Sequence, residues 1–255
     1  MNPKWKRAWR ILKQGFGWRL SPADLCLRDF SEEDLDIVLS VRPFTQTSPE
    51  RLFAVINAAR YIHQSMIPGA IIECGVWKGG STMAAALALK AMGGMDREIY
   101  LFDTFSGMTA PSSRDTTQFE AGDPAEAYEQ RKGADGLVHW SFSPIEETRR
   151  NVLSTGYSPD RVHFVKGPVE QTIPANAPET IALLRLDTDF YESTRHELIH
   201  LFPRLVPGGV LIIDDYGHWE GARQAVDEYF KENKIRMLLN RVDYTGRIGV
   251  KTVSS

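Results

Sequence analysis

Asp187 in RLDTDFYEST and the adjacent pair Asp214-Asp215 in GGVLIIDDYG are the residues of this chain best suited to chemistry. Each follows a short apolar run that reads as a buried strand, so each falls where a sheet delivers side chains to a cleft. Clustered carboxylates repel unless a proton or cation intervenes, and an all-oxygen donor set suits a hard metal ion. In a regular strand neighbouring side chains face opposite ways, so Asp214 and Asp215 can share an ion only if the chain leaves the strand there. Tyr216-Gly217 is a suitable place to turn, whereas Asp187 and Asp189 have the strand-like spacing that puts both on one side. The alternative for Asp214-Asp215 is helix capping in a solvated loop.

A second group lies upstream. In IIECGVWKGGST an apolar run, a glycine-rich turn and a helix start follow one another, with Glu73, Gly75, Gly79 and Ser81 as candidate cofactor contacts. The spacing departs from the dinucleotide pattern GxGxxG, and an acid two residues before the first glycine suits a cationic amino-acid moiety better than a pyrophosphate. At the next strand end Asp103 is placed to accept ribose hydroxyls. A nicotinamide-dependent reductase is disfavoured by the same features.

The elements that must position these residues alternate. Apolar runs AIIECGV, EIYLFDT, RVHFVKG, IALLRLD and GVLIIDD are interleaved with helical stretches from about Ser81 and around 143–155, 193–205 and 220–233, which predicts βαβ units and a mostly parallel sheet. Ser143-Pro144-Ile145-Glu146 has capping-box spacing. Before the first strand, Ser31 caps a short helix over 31–40, and Ser48-Pro49 opens a longer one with Leu52, Val55, Ile56, Ala59, Ile62 and Met66 on one face. The tail around Tyr244-Thr245-Gly246 reads as a closing hairpin. Residues 104–142 lack a strong strand signal; a connection that long is read as a lid over the substrate, with a short helix starting at Asp123-Pro124 and a disordered insertion as the alternative.

Composition bounds the rest. The chain has 255 residues, 42% hydrophobic and 25% charged, with a net charge of −3, which disfavours a nucleic-acid partner. No apolar stretch of about 18 residues offers a transmembrane helix, and two cysteines, Cys26 and Cys74, without a CxxC pattern fit reduced thiols in a cytoplasmic protein. Residues 1–20 are basic and aromatic, either a surface arm, a homodimer contact or a segment folded over its own domain. His196 and His200 share a helix face without an HExxH pattern and read as surface or core. His218 follows the acidic pair and reads first as structural, with contact to the acceptor as the alternative, and Trp77, Tyr191 and Trp219 serve either packing or stacking on a sugar or adenine.

ECGVWKGGS, LFDTFSGM, LLRLDTDFYEST and PGGVLIIDDYGHW, in this order, resemble the macrocin O-methyltransferase (TylF-type) family over roughly residues 45–250. The resemblance implies a class I methyltransferase fold, that is, a doubly wound, Rossmann-like α/β sheet of seven strands, for a 45–255 catalytic domain; residues 1–44 lie outside the resemblance and are expected to be an N-terminal extension, serving as a helical lid or a dimer contact. It implies S-adenosylmethionine as methyl donor, Mg2+ dependence, and methylation of a hydroxyl, commonly on a sugar. Carried over, the metal ligands are Asp187, Asp214 and Asp215, and Asp189 is the general base, with a role in orienting water or a ligand as the alternative. A catechol-like phenol acceptor and a non-catalytic carbohydrate-binding subunit remain alternatives.

Overall fold

The apolar runs pair edge to edge. In the computed structural model, which describes residues 29–119 and 121–253, β1 (Ala70–Cys74), β2 (Ile99–Asp103), β3 (Val162–Lys166), β4 (Ile181–Leu186) and β5 (Leu205–Ile213) are parallel. The C-terminal hairpin adds β6 (Asn240–Arg241) and β7 (Arg247–Val250), with β7 antiparallel to β5, giving the order β3-β2-β1-β4-β5-β7-β6. This is the doubly wound, mostly parallel seven-stranded sheet expected.

Alternation along each strand builds two cores. Ile71, Leu183 and Ile212 face one side, packing with residues of α1 (Glu32–Val41), α2 (Pro49–Gln64) and α3 (Gly80–Ala91). Ile72, Leu184 and Leu211 face the other, with α7 (Tyr191–Leu201) and α8 (Glu220–Glu232). Between these sets lie α4 (Pro124–Gln130), α5 (Ile145–Leu153) and the single-turn α6 (Val169–Thr172). Ile37, Val38 and Val41 of α1 belong to the first core, so the helix between residues 32 and 41 is built into the sheet domain.

Local signals set the helix starts. Ser31 and Asp34 form a reciprocal capping box, and Ser48 caps α2 with Pro49 in its first turn. Three expectations need correction. Met66, expected on the apolar face of α2, lies beyond its end at Gln64, has φ +52° and is 85% exposed, because the chain is already turning toward Pro68-Gly69. The helix after Pro144 begins at Ile145 with no side-chain cap; the Ser143 hydroxyl instead accepts from Thr148 Oγ1 at 3.1 Å. The helix expected over 193–205 starts at Tyr191 and gives way to a 3-10 turn at Phe202–Arg204, because Pro203 cannot continue the α-helical bond pattern. The basic aromatic segment 1–20 and Cys26 lie outside the described residues. Among the described residues no helix is long and apolar enough to cross a membrane.

Candidate active site

Strand register brings the acids together. Cys74 lies opposite Leu186, and Leu186 opposite Ile213, so Gly75, Asp187 and Asp214 leave the sheet side by side at one edge. Backbone bonds hold that step: Gly75 N–H donates to Phe102 O, Asp187 N–H to Cys74 O and Asp214 N–H to Leu186 O, each at 2.9 Å. Gly75 must be glycine. Its φ is +79°, and a Cβ there would sit 1.9 Å from the Asp187 carbonyl oxygen, so the loop hugs the protein's own backbone.

One turn deeper, Glu73 is the register partner of Arg185, on the face of Ile71 and Leu183. Arg185 is 3% exposed and distributes its guanidinium among the acids. Its Nη1 donates to Glu73 at 2.6 Å and Asp187 at 2.7 Å, and its Nη2 to Asp214 at 2.6 Å and Thr47 Oγ1 at 3.2 Å. Thr82 closes the second Glu73 oxygen. Arg51 of α2 pairs with the other Asp214 oxygen and, at 3.0 Å, with Asp243 of the hairpin.

Asp187, Asp214 and Asp215 offer oxygens that all lie within 4.8 Å of one another. Asp215 and Asp214 are buried, while the Asp187 side chain keeps 26% exposure and opens the group to solvent. Burial opposes charge on Asp214, but Arg185 and then Arg51 outweigh it and hold this carboxyl below its ordinary range. Burial pushes Asp187 well above that range despite Arg185, and the neighbouring acids add to the push. Asp215 is likewise raised, by burial and then by Asp189 and Asp214. Asp187 and Asp215 are thus held toward their protonated forms by burial and by the charge of neighbouring acids, and a divalent cation among them would take the place of those protons. Neighbouring oxygens around magnesium stand about 3 Å apart and opposite ones about 4 Å, so these three carboxylates would turn inward to hold such an ion.

Asp189 lies beside the acids, but strand spacing is not what puts it there. β4 ends at Leu186 and Asp189 has φ +68°, so the i,i+2 argument fails and local backbone geometry sets its direction. Its Oδ1 accepts the Trp219 indole N–H at 2.8 Å, and its backbone N–H donates to Asp215 at 3.2 Å. Asp214 and Asp215, by contrast, lie beyond the end of β5 as expected.

The cofactor candidates surround the β1 edge. Asp103 accepts Val76 N–H at 2.7 Å and Trp77 N–H at 3.0 Å on one oxygen, and Phe105 N–H at 2.7 Å on the other. The Thr104 hydroxyl donates its one proton to Gly107 O, so the second Asp103 oxygen retains one acceptor position. Burial raises the Asp103 carboxyl, the amides only partly offsetting it. Gly79 (φ +91°) caps α3, and Ser81 is buried in its first turn. Glu73 is turned into the sheet, toward Arg185 and Thr82, so it meets the site through Arg185.

Residues 104–142 pack across this edge. Asp115, buried, binds Ser112 through backbone and hydroxyl and accepts Tyr191 N–H at 2.7 Å, two residues past Asp189. Trp140 and Met108 join Phe190 and Trp219 in a small aromatic cluster. Arg185, Arg51, Asp243 and Asp115 were all missed from the sequence. A lone arginine inside the apolar run IALLRLD was a signal for Arg185; Arg51 and Asp243, far apart in the chain, gave none.

Comparison with known proteins agrees with this geometry. A family model described as macrocin O-methyltransferase (TylF) matches residues 39–249. The chain is 33% identical over 189 residues to 8-demethyl-8-(2,3-dimethoxy-alpha-L-rhamnosyl)-tetracenomycin-C 4'-O-methyltransferase of Streptomyces olivaceus, covering 74% of this chain and 68% of that one. It is 33% identical over 202 residues to demethyldecarbamoylnovobiocin O-methyltransferase of Streptomyces niveus, covering 79% and 73%. The solved structure of the O-methyltransferase NovP superimposes with a TM-score of 0.70 at 30% identity, over 82% of each chain.

Proposed function

The chain belongs to the TylF macrocin O-methyltransferase family and is an S-adenosylmethionine-dependent O-methyltransferase, and we propose that it methylates a sugar hydroxyl of a glycosylated natural product with the help of Mg2+. The observation that carries the metal reading is the trio Asp187, Asp214 and Asp215, with oxygens within 4.8 Å of one another beside the glycine loop. The rhamnosyl group in the name of the Streptomyces olivaceus relative favours a sugar over a phenol.

When bound, S-adenosylmethionine supplies a methyl group on a sulfonium, and a hard cation held by Asp187, Asp214 and Asp215 makes a neighbouring hydroxyl more acidic. Everything else falls to the protein. Asp189 receives the acceptor's proton on a carboxylate oriented by the Trp219 indole, a contribution of about 10²–10⁴-fold for a well-placed base. Arg185 and Arg51 fix Asp214 as an anionic ligand, and Glu73 balances Arg185 from below. The remaining acceptor position of Asp103 takes a ribose hydroxyl, while the start of α3 at Gly80 and Ser81 lines the cofactor's amino-acid end. Residues 104–142, latched by Asp115 to the start of α7, serve as the lid that keeps water from the transfer.

Methyl transfer to glycosides, nucleotide sugars and catechols, with and without EDTA, tests the reading. Transfer to a glycoside that EDTA stops and Mg2+ restores is the expected result. Catechol methylation with no sugar product would replace the acceptor, and activity unchanged by EDTA would remove the metal.

A further inference from the structure

Three aromatic side chains meet at the outer lip of the acidic cluster, each from a different part of the chain. Phe119 comes from the 104–142 segment, His218 from the turn after β5, and Tyr244 from the hairpin. Phe119 stacks on His218 at 5.4 Å with 22° between the rings, and meets Tyr244 edge-on at 5.0 Å. His218 Nδ1 and the Tyr244 hydroxyl are 3.1 Å apart. Phe119 is 51% exposed and Tyr244 42%, whereas Phe190 and Trp219 next to them are buried.

The position of this patch is tied to the chemistry. His218 N–H donates to Asp215 O at 3.0 Å, and Thr245 Oγ1 donates to Asp214 O at 2.6 Å, so both strands of the lip are anchored on the acids themselves. Rings run outward in unbroken contact: Trp219, whose indole holds Asp189, lies 5.3 Å from His218, and His218 in turn touches Phe119.

Arg51 is taken by Asp214 and Asp243, Arg241 by Asp243 O, and Arg247 by Thr245 O and Gly246 O. Arg51 is neutralised by its two carboxylates, and the exposed side chains beside the acids, Phe119 and Tyr244, offer π faces to an incoming molecule. We propose that Phe119, His218 and Tyr244 form an outer acceptor subsite that stacks on a planar, apolar aglycone. The inference rests on sugar methylation as the reaction.

Three acceptors sharing one sugar separate the possibilities: methylumbelliferyl rhamnoside, methyl rhamnoside and thymidine-diphosphate rhamnose. The wild type should favour the aryl over the methyl glycoside by about tenfold in kcat/KM, carried by KM, as expected for one or two ring contacts. In the F119A/Y244A double variant that preference should vanish, with kcat/KM on the methyl glycoside and the KM for S-adenosylmethionine unchanged; the second pair of readings also reports that the variant is folded. A variant that keeps the aryl preference, or a wild type that prefers the nucleotide sugar, overturns the subsite while sugar methylation stands. A wild type that methylates catechol and none of the three sugars overturns the reaction, and the subsite with it.

Discussion

Replacing Arg185 by methionine is the sharpest test of how the site is held. Arg185 is 3% exposed and is the shared counter-charge of Glu73, Asp187 and Asp214. Methionine fills much the same unbranched space without the charge, so the change isolates electrostatics from packing. Removing one partner of a buried ion pair costs about 3–5 kcal/mol, because the other charge stays buried and uncompensated. Against a typical stability of about 5–15 kcal/mol, that is a large fraction of the total. Urea unfolding in EDTA, at pH 7, should show a loss in that range with little change in slope. Arg185→Lys should lose less, since one ammonium keeps the charge but cannot fork to all three acids. The pH dependence fixes the cause. In the wild type, Asp214 is held below its ordinary range, so its contribution is present above the unfolded value and lost as pH falls through the folded one. In R185M, Asp214 and Glu73 lose that counter-charge and their folded values rise, which favours folding in acid and is lost as pH climbs. The difference between variant and wild type should therefore shrink toward about pH 4. A loss under 1 kcal/mol, or one independent of pH, refutes the reasoning.

Asp189→Asn should leave Mg2+ and S-adenosylmethionine binding within about twofold, while kcat falls by about 10²–10⁴-fold; calorimetry and a methyl-transfer assay check the two halves. Gly75→Ala puts a Cβ 1.9 Å from the Asp187 carbonyl and demands φ +79° of alanine, so soluble yield or thermal midpoint should drop sharply. Asp115→Ala removes the acceptor of Tyr191 N–H, and proteolysis should cut residues 104–142 faster than in the wild type. Ser31→Ala, which breaks the cap of α1, should cost only about 1 kcal/mol by urea unfolding and leave activity intact.

The sequence showed most of the frame because strand and helix periods are local. β1, β4 and β5 are apolar runs whose ends carry Gly75, Asp187 and Asp214, and parallel pairing alone brings those ends level. What was not legible depends on contacts across the chain. Asp189 has strand spacing from Asp187, yet the left-handed backbone at Asp189 redirects it toward Trp219. Glu73 reads as a cofactor contact until register pairs it with Arg185. Arg51 and Asp243 enter the site only when α2 and the hairpin meet beside Asp214. The Ser143 spacing failed for a local reason: with Pro144 at the N-cap position, the helix starts one residue later.

Diffraction from crystals soaked in Mn2+, recorded at the manganese edge, addresses the metal site most directly. An anomalous peak coordinated by Asp187, Asp214 and Asp215, lost in the D215N variant, is the predicted result. A map with no peak among those three carboxylates, from crystals that still bind S-adenosylmethionine and transfer methyl groups, would contradict it.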